Sequence, residues 1–493
     1  MKKFGFLFLF LICFLFSIRS QYVAHPKQIL PQPPDSVDIV YYKNKKNGWH
    51  AAAQVVGFNV GLWAFDRYVQ KGDFAYISFD SMKRNLKKGF IWDNDKLGTN
   101  LFLHPYHGNL YHNSARSNGF TFWESGLFCA GGSLMWELFM ECEYPSTNDV
   151  IATPIGGMAL GEVLYRASDA VLDDRATGRD RWGNELTCFI LSPMRSLTRM
   201  INGDFRRVRK TSGRQFGTPP IMVEVSAGIR AVELEDDILD EGLGGLLDIR
   251  VEYGDRFDHD GVKPYDYFTL HASLNAHSSQ PVLGQLNIIG RLYGTDLLDD
   301  KNDYLGLGFY QHFDFYDSDT ISDISGKIPY KFGSPASVGV GLSYKTKRFE
   351  NWHFDACGHI NGIILGSSLS DYYALDERNY NWGSGFSWKL NGHASYKDKV
   401  GFSWWHEAYN IYTWKGYPKD VKWPGVDPKT LDAQGDKSNA FLHTYGLKTD
   451  IKLKNSFYLT LYSALHSRVT KYAYYPAVKS TTTEQRLLLS YKF

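Results

Sequence analysis

Histidines, carboxylates and small polar residues crowd one stretch of this chain. His104-Pro105-Tyr106-His107-Gly108 is followed by Arg116-Ser117, Glu124-Ser125, Glu137, Asp149 and Glu162. His104 and His107 lie three apart, so on a helix both imidazoles could face one way as metal ligands or as an acid–base pair. Pro105 works against that geometry, because the residue before a proline is pushed away from the helical region. A site drawn from His104, His107, Glu124, Glu137 and Glu162 would hold the imidazole and carboxylate groups needed to bind a metal or activate a water. Paired zinc-ligand spacing of the HExxH kind is absent, so the metal signal is weak and rests on His104, His107 and Glu137. Ser117 and Ser125 are candidate nucleophiles beside a histidine. Neither sits in a GxSxG elbow. Arg116 and Asp149 complete the catalytic candidates, and no cofactor motif accompanies them. The competing interpretation, which the sequence favours, is that these groups cross-link apolar helices through buried hydrogen bonds. Glu162 stands four before Arg166, and Gly156, Gly157 and Gly161 would let helices approach closely.

The elements that must position these residues are helical. From Trp49 to about Asp174 the apolar residues recur at helical spacing, first over Val55, Val56, Val60, Leu62 and Trp63, then over Phe122, Leu127, Leu134, Met135, Leu138 and Phe139. A further helix is expected directly after Pro145, with Ser146 as its cap and Asp149 answering three residues on. A last segment covers Glu185 to Ile201 and is interrupted at Pro193. Residues 43–205 are therefore expected to form a helical domain. Over about residues 75 to 180 the pieces HPYHG, ARS, FWES, WE, PSTND and GE resemble a bacterial family catalogued as domain of unknown function 3943. The resemblance implies a shared helical module and carries no activity with it.

After Gly217 the period changes to two. Ile221, Val223, Val225, Ala227 and Ile229 alternate with more polar neighbours, and Tyr445, Leu447, Thr449, Ile451 and Leu453 oppose Thr444, Gly446, Lys448, Asp450 and Lys452. One row is apolar and the other too polar for a dry core, which fits a barrel with lipid outside. Segments begin near residues 220, 245, 265, 282, 303, 336, 351, 382, 399, 439, 455 and 481. The fold class expected is thus α+β: an N-terminal helical domain followed by an antiparallel transmembrane β-barrel of about 12 strands over residues 218–493. Tyr396-Lys397-Asp398-Lys399 and Lys454-Asn455 look like tight turns, whereas Asp317 to Pro335 and Gly416 to Asn439 look like long loops. The polar row carries His271, His312, His353, His359 and His393 with Asp314, Asp355, Lys389 and Glu407, expected to be solvated or mutually bonded lumen residues, and alanine at Lys448 or Lys452 is expected to be nearly neutral.

The two ends of the chain suit the same location. Lys2-Lys3 and the apolar run Phe4 to Phe16 resemble a secretory signal over residues 1–20, and the proline-bearing residues 21–42 look like an extended lead-in. At the other end, Leu487, Leu489, Tyr491 and Phe493 share one face of a terminal strand, resembling the signal that barrel-assembly machinery recognises in Gram-negative bacteria. The 16% aromatic content is high for a soluble protein, and a net charge of +1 without a basic stripe sets nucleic acid aside. Cys129, Cys142, Cys188 and Cys357 are too irregularly spaced for a zinc motif or a disulfide framework.

The expectation is an outer-membrane protein embedded in lipid, with a binding, transport or envelope-structural role. Its helical module would stand on the periplasmic side or plug the barrel. The alternative is an envelope hydrolase acting on lipid or cell-wall material, with His107, Glu124 and Glu137 near its centre. Substrate and oligomeric state are not legible at this level.

Overall fold

A computed structural model describes residues 46–493, apart from 235–242, 260–262, 278, 321–326, 373–376 and 420–431. The signal expected over residues 1–20 and the lead-in over 21–42 lie outside the described residues. The chain divides into two compact units: one holds the described residues up to Phe90 together with His104–Pro219, and the other joins Ile91–Leu103 to Pro220–Phe493.

The helical unit contains α1 (Gly48–Phe65), α2 (Phe79–Lys88), α3 (His104–Ser117) and α4 (Phe122–Met135), then α5 (Asp149–Val171), α6 (Gly178–Leu191) and α7 (Pro193–Ile201). Local sequence sets the ends. Thr121 and Glu124 form a reciprocal capping box at α4, each side chain accepting from the other's backbone N–H. Pro105 is accommodated because a π turn (Thr99–Leu103) runs directly into α3, and its wider winding makes room for the ring and the missing N–H. Pro193 likewise opens α7, and α6 stops at Leu191. The start of α5 differs from the capping box expected after Pro145. Asn148 is the N-cap, the helix begins at Asp149, and the Asp149 N–H donates to Ser146 Oγ at 3.2 Å. Ser146 thus supplies its oxygen to the residue three on, as expected, but its own N–H donates to the Glu137 carboxylate, the role expected of Asp149.

Helices α3 and α5 cross backbone to backbone. A Cβ on Gly108 would fall 1.9 Å from the Thr153 carbonyl oxygen, and one on Gly157 would fall 2.4 Å from the Gly108 Cα. Only hydrogen fits at this crossing, and the close approach sets the polar side chains of the two helices face to face.

The second unit is a closed barrel. Its strands are β1 (Ile221–Leu234), β2 (Leu243–Tyr253), β3 (Phe268–Ala276), β4 (Leu283–Asp299), β5 (Asp303–Asp317) and β6 (Lys331–Thr346). They continue as β7 (Trp352–Leu369), β8 (Tyr380–Tyr396), β9 (Val400–Tyr412), β10 (Ser438–Lys454), β11 (Phe457–Tyr472) and β12 (Val478–Lys492). Strands neighbour one another in chain order, every pair is antiparallel, and β1 closes on β12 with Gly228 opposite Leu488. Leu487 and Leu489 stand exposed on the outer face of β12, while the alternate residues Arg486 and Leu488 are buried. The expected tight turns are present, with positive φ at Lys397, Asp398 and Asn455. Strand β6 begins earlier than its periodicity suggests. Pro335 lies within the register shift between Gly333 and Ala336, a second shift follows at Ala336/Ser337, and these bulges interrupt the alternation that a sequence reading depends on.

Ile91–Leu103 packs within the barrel unit as a strap. Leu101 occupies the space beside Gly333, Phe102 lies 6.5 Å from Phe315, and Trp92 lies 6.2 Å from Trp382, both measured between ring centroids. Asn100 Nδ2 donates to Tyr380 Oη at 2.8 Å, and Arg378 Nη1 donates to the Asp93 carbonyl at 2.6 Å. Phe315 and Gly333 alternate with the lumen-facing Tyr316 and Phe332, so the strap lies on the outer wall at the end that carries the long connections.

Candidate functional site

Three chain segments that are distant in sequence meet in the helical unit. His104 opens α3, Glu137 sits in a π turn (Trp136–Met140) that continues α4, and Asp149 opens α5. One ligand-capable atom from each lies within 4.8 Å of the others, and His104 Nε2 is 3.6 Å from Asp149 Oδ1. Both carboxylates are buried, Glu137 at 1% and Asp149 at 2% exposure. The Ser146 N–H donates to Glu137 Oε2 at 2.7 Å, and Asn148 Nδ2 donates to Asp149 Oδ1 at 3.0 Å. His107 stands behind this group, edge-on to the rings of His104, Trp136 and Phe58. Burial, followed by the neighbouring His104 charge, lowers the His107 pKa to about 3, so its ring is neutral at physiological pH.

A second set forms around Glu162 on α5. Arg116 Nε and Nη2 donate to Oε2 and Oε1 at 2.7 and 2.9 Å, Arg166 Nε reaches Oε1 at 3.0 Å, and His112 Nε2 lies 3.1 Å from Oε2. Burial alone would raise the Glu162 carboxyl, but Arg116, His112 and Arg166 together hold it well below the usual carboxylate range. Burial lowers His112 despite that carboxylate. The expected Glu162–Arg166 pair is therefore present, and His112 is a participant that sequence reasoning missed. Its signal was available only through the α3–α5 crossing, where the His112 ring lies against Gly161.

The remaining candidates lie apart. Glu124 caps the first turn of α4 and pairs with Lys46 Nζ at 2.7 Å, whereas Glu137 follows the opposite end of that helix. The Lys46 hydrogen bond, with that of the Thr121 N–H, lowers the Glu124 carboxyl to about 2. Ser117 Oγ and Ser125 Oγ have no hydrogen-bond partner among the described residues, so neither is held by a base.

Many inward side chains of the barrel are paired charged groups. Arg486 donates to Asp248 at 2.8 Å and Glu484 at 2.6 Å, Lys448 to Glu224 at 2.6 Å, and Lys389 to Asp314 at 2.6 Å. Some contacts cross between distant strands: Tyr316 of β5 donates to Glu407 of β9 at 3.0 Å, and Arg230 of β1 donates to Tyr330 Oη just before β6. Thr482 of β12 donates to the Pro329 carbonyl at 3.0 Å, and the Tyr330 ring lies 4.7 Å from that of His466 on β11. Pro329 and Tyr330, just before β6, thus reach across the interior. Tyr316, Tyr330, Phe332, Ile363, Tyr409 and Ile411 form a buried apolar cluster.

An apolar outer wall around a charged interior defines an outer-membrane type of β-barrel preceded by a helical unit. A family model described as Domain of unknown function (DUF3943) matches residues 89–194. No curated protein matches the chain. Among solved structures, the chain is similar to the NanC porin at 9% identity, covering 55% of this chain and 100% of that one with a TM-score of 0.27. It is similar to the Pseudomonas putida toluene transporter TodX at 10% identity, covering 55% and 89% with a TM-score of 0.21. The outer membrane channel DcaP of Acinetobacter baumannii matches at 9% identity, covering 56% and 96% with a TM-score of 0.23.

Proposed function

We propose that this outer-membrane barrel binds or passes a solute and is held shut in the conformation described. Tyr330 carries the reading. An open diffusion pore keeps a water-filled lumen, whereas here Tyr330 lies against Arg230 and His466 and its neighbour Pro329 is held by Thr482. Passage then requires Pro329 and Tyr330 to leave the interior. The test is solute flux through liposomes holding the purified chain. The wild type should be nearly impermeable, and a variant with Arg230→Ala and Tyr330→Ala should leak at least tenfold faster at equal barrel content. A wild type as permeable as an open porin, or a double variant as tight as the wild type, refutes a gate at Tyr330.

The side of the membrane taken by the helical unit is open to direct measurement. The start of β1 at the tight-turn end supports the periplasmic side, and the seat of the Ile91–Leu103 strap at the long-loop end supports the outer side. Labelling a cysteine introduced at the exposed Lys83 with a membrane-impermeant maleimide on intact cells decides between them.

A further inference from the structure

The meeting of His104, Glu137 and Asp149 has features that simple cross-linking of helices does not require. Two carboxylates are buried next to each other, and the His104 imidazole stands beside them with Nε2 3.6 Å from Asp149 Oδ1. Three ligand-type atoms from three distant chain segments thus converge on one point, the arrangement that a divalent ion requires. The donor set is one imidazole nitrogen with carboxylate oxygens, a mixture suited to zinc, manganese or ferrous iron.

The surroundings favour ligation as well. The Ser146 N–H fixes one oxygen of Glu137, and the Asn148 amide fixes Asp149 Oδ1. Such outer hydrogen bonds are what orient ligands on a metal. Glu137 also stands in a π turn, a local widening of the helix that is frequent at functional sites. Donor atoms around one ion at about 2.1 Å are separated by roughly 3 to 4 Å. The present group, within 4.8 Å, needs only side-chain rotation to close on an ion.

We propose that His104, Glu137 and Asp149 bind one divalent first-row transition ion in the helical unit, with at least one coordination position left for water or a ligand. The site is independent of solute passage through the barrel, and nothing in the gate reading supplies it.

The experiment uses the full chain in detergent, stripped with a chelator and then titrated with Zn(II) and, separately, Mn(II). Calorimetry should report one ion per chain. Glu137→Gln and Asp149→Asn should each weaken binding at least tenfold, while Glu124→Gln, at the other end of α4, should bind as the wild type does. Circular dichroism and heat-modifiable migration establish that each variant is folded. Should both site variants unfold, Co(II) loading of the wild type gives the second readout. A visible d–d spectrum of a site with nitrogen and oxygen donors, displaced by one equivalent of Zn(II), supports the proposal. Less than a tenth of an equivalent of bound ion in the wild type, or unchanged affinity in folded Glu137→Gln and Asp149→Asn, overturns it.

Discussion

Arg116 grips Glu162 with two nitrogens, Nε on Oε2 at 2.7 Å and Nη2 on Oε1 at 2.9 Å, across the crossing of α3 and α5. Glu162 is fully buried, and its remaining partners are Arg166 and His112. Removing the carboxylate takes from Arg116 and Arg166 the buried anion that they share. Glu162→Gln should therefore destabilise the helical unit by about 3 to 5 kcal/mol, the range for breaking a buried ion pair on one side. Limited proteolysis checks this: cleavage within residues 104–201 should accelerate while heat-modifiable migration of the barrel persists. A variant as resistant as the wild type would show that the pair is dispensable to the fold.

The same cluster makes the helical unit sensitive to acid. His112 has its folded-state pKa lowered by burial, so unfolding takes up a proton once the pH falls below the ordinary histidine value near 6.5. Its contribution is fully present above that pH and is lost as the pH drops toward the lower folded value, at up to about 1.4 kcal/mol per pH unit. Glu162, lowered in the fold, adds a second loss below the ordinary carboxylate value near 4.5. Urea unfolding followed by tryptophan fluorescence should show stability falling between pH 6.5 and 4.5, and His112→Gln should flatten that part of the profile. An unchanged slope in the variant would count against a neutral buried His112.

Strand β10 offers a test of its two faces. Leu447 and Ile451 are exposed on the outer wall, and arginine at either should lower barrel stability by about 2 to 4 kcal/mol near the bilayer midplane. Lys448, between them, donates to Glu224 at 2.6 Å and Asp450 at 3.0 Å. Lys448→Ala leaves two buried carboxylates short of a cation and should be destabilising, whereas Lys452→Ala, at an exposed position, should be nearly neutral. Refolding yield into lipid vesicles ranks the four variants. A neutral Lys448→Ala would mean that water fills that part of the lumen.

Lys448 also marks where the sequence stopped being informative. Alternation placed it on the inner row correctly, because side chains on a strand point to opposite faces with a period of two. It could not say that the inner row was paired and closed rather than solvated, since Glu224 and Lys448 belong to β1 and β10 and meet only once the ring is closed. The strand starts were legible to within a few residues for the same local reason, with Pro335 and its bulges the main departure. In the helical unit, the Glu162–Arg166 pair was visible as neighbours one turn apart, and Glu137 and His104 were singled out by type. Their meeting with Asp149 was not visible, because it depends on Glu137 taking the Ser146 N–H that Asp149 was expected to take and on the glycine contact that brings α3 onto α5.

At the carboxy terminus, Phe493 and Lys492 should respond differently. The Phe493 N–H donates to the Val223 carbonyl at 2.9 Å and its ring lies 4.6 Å from that of Tyr491, so it seals the last strand onto the first. Lys492 points inward, 2.7 Å from Asp450. Phe493→Asp should reduce assembled barrel several-fold in the outer-membrane fraction, and Lys492→Met should reduce its heat stability more than its yield. Equal yields of both variants would contradict the role given to Phe493.

The seam between β1 and β12 has a consequence for how the barrel can come into existence. Ser226 and Ser490, hydrogen-bonded across it, are 264 residues apart in the chain. Until the last strand arrives, β1 offers a row of unanswered N–H and C=O groups, and hydrocarbon has no water to answer them. Shortened chains therefore have no stable intermediate to stop at: losing β12 does not leave a smaller barrel but an open sheet with two raw edges. Assembly has to wait for the final residues, and a cell must keep β1 shielded from the moment it emerges until they are delivered.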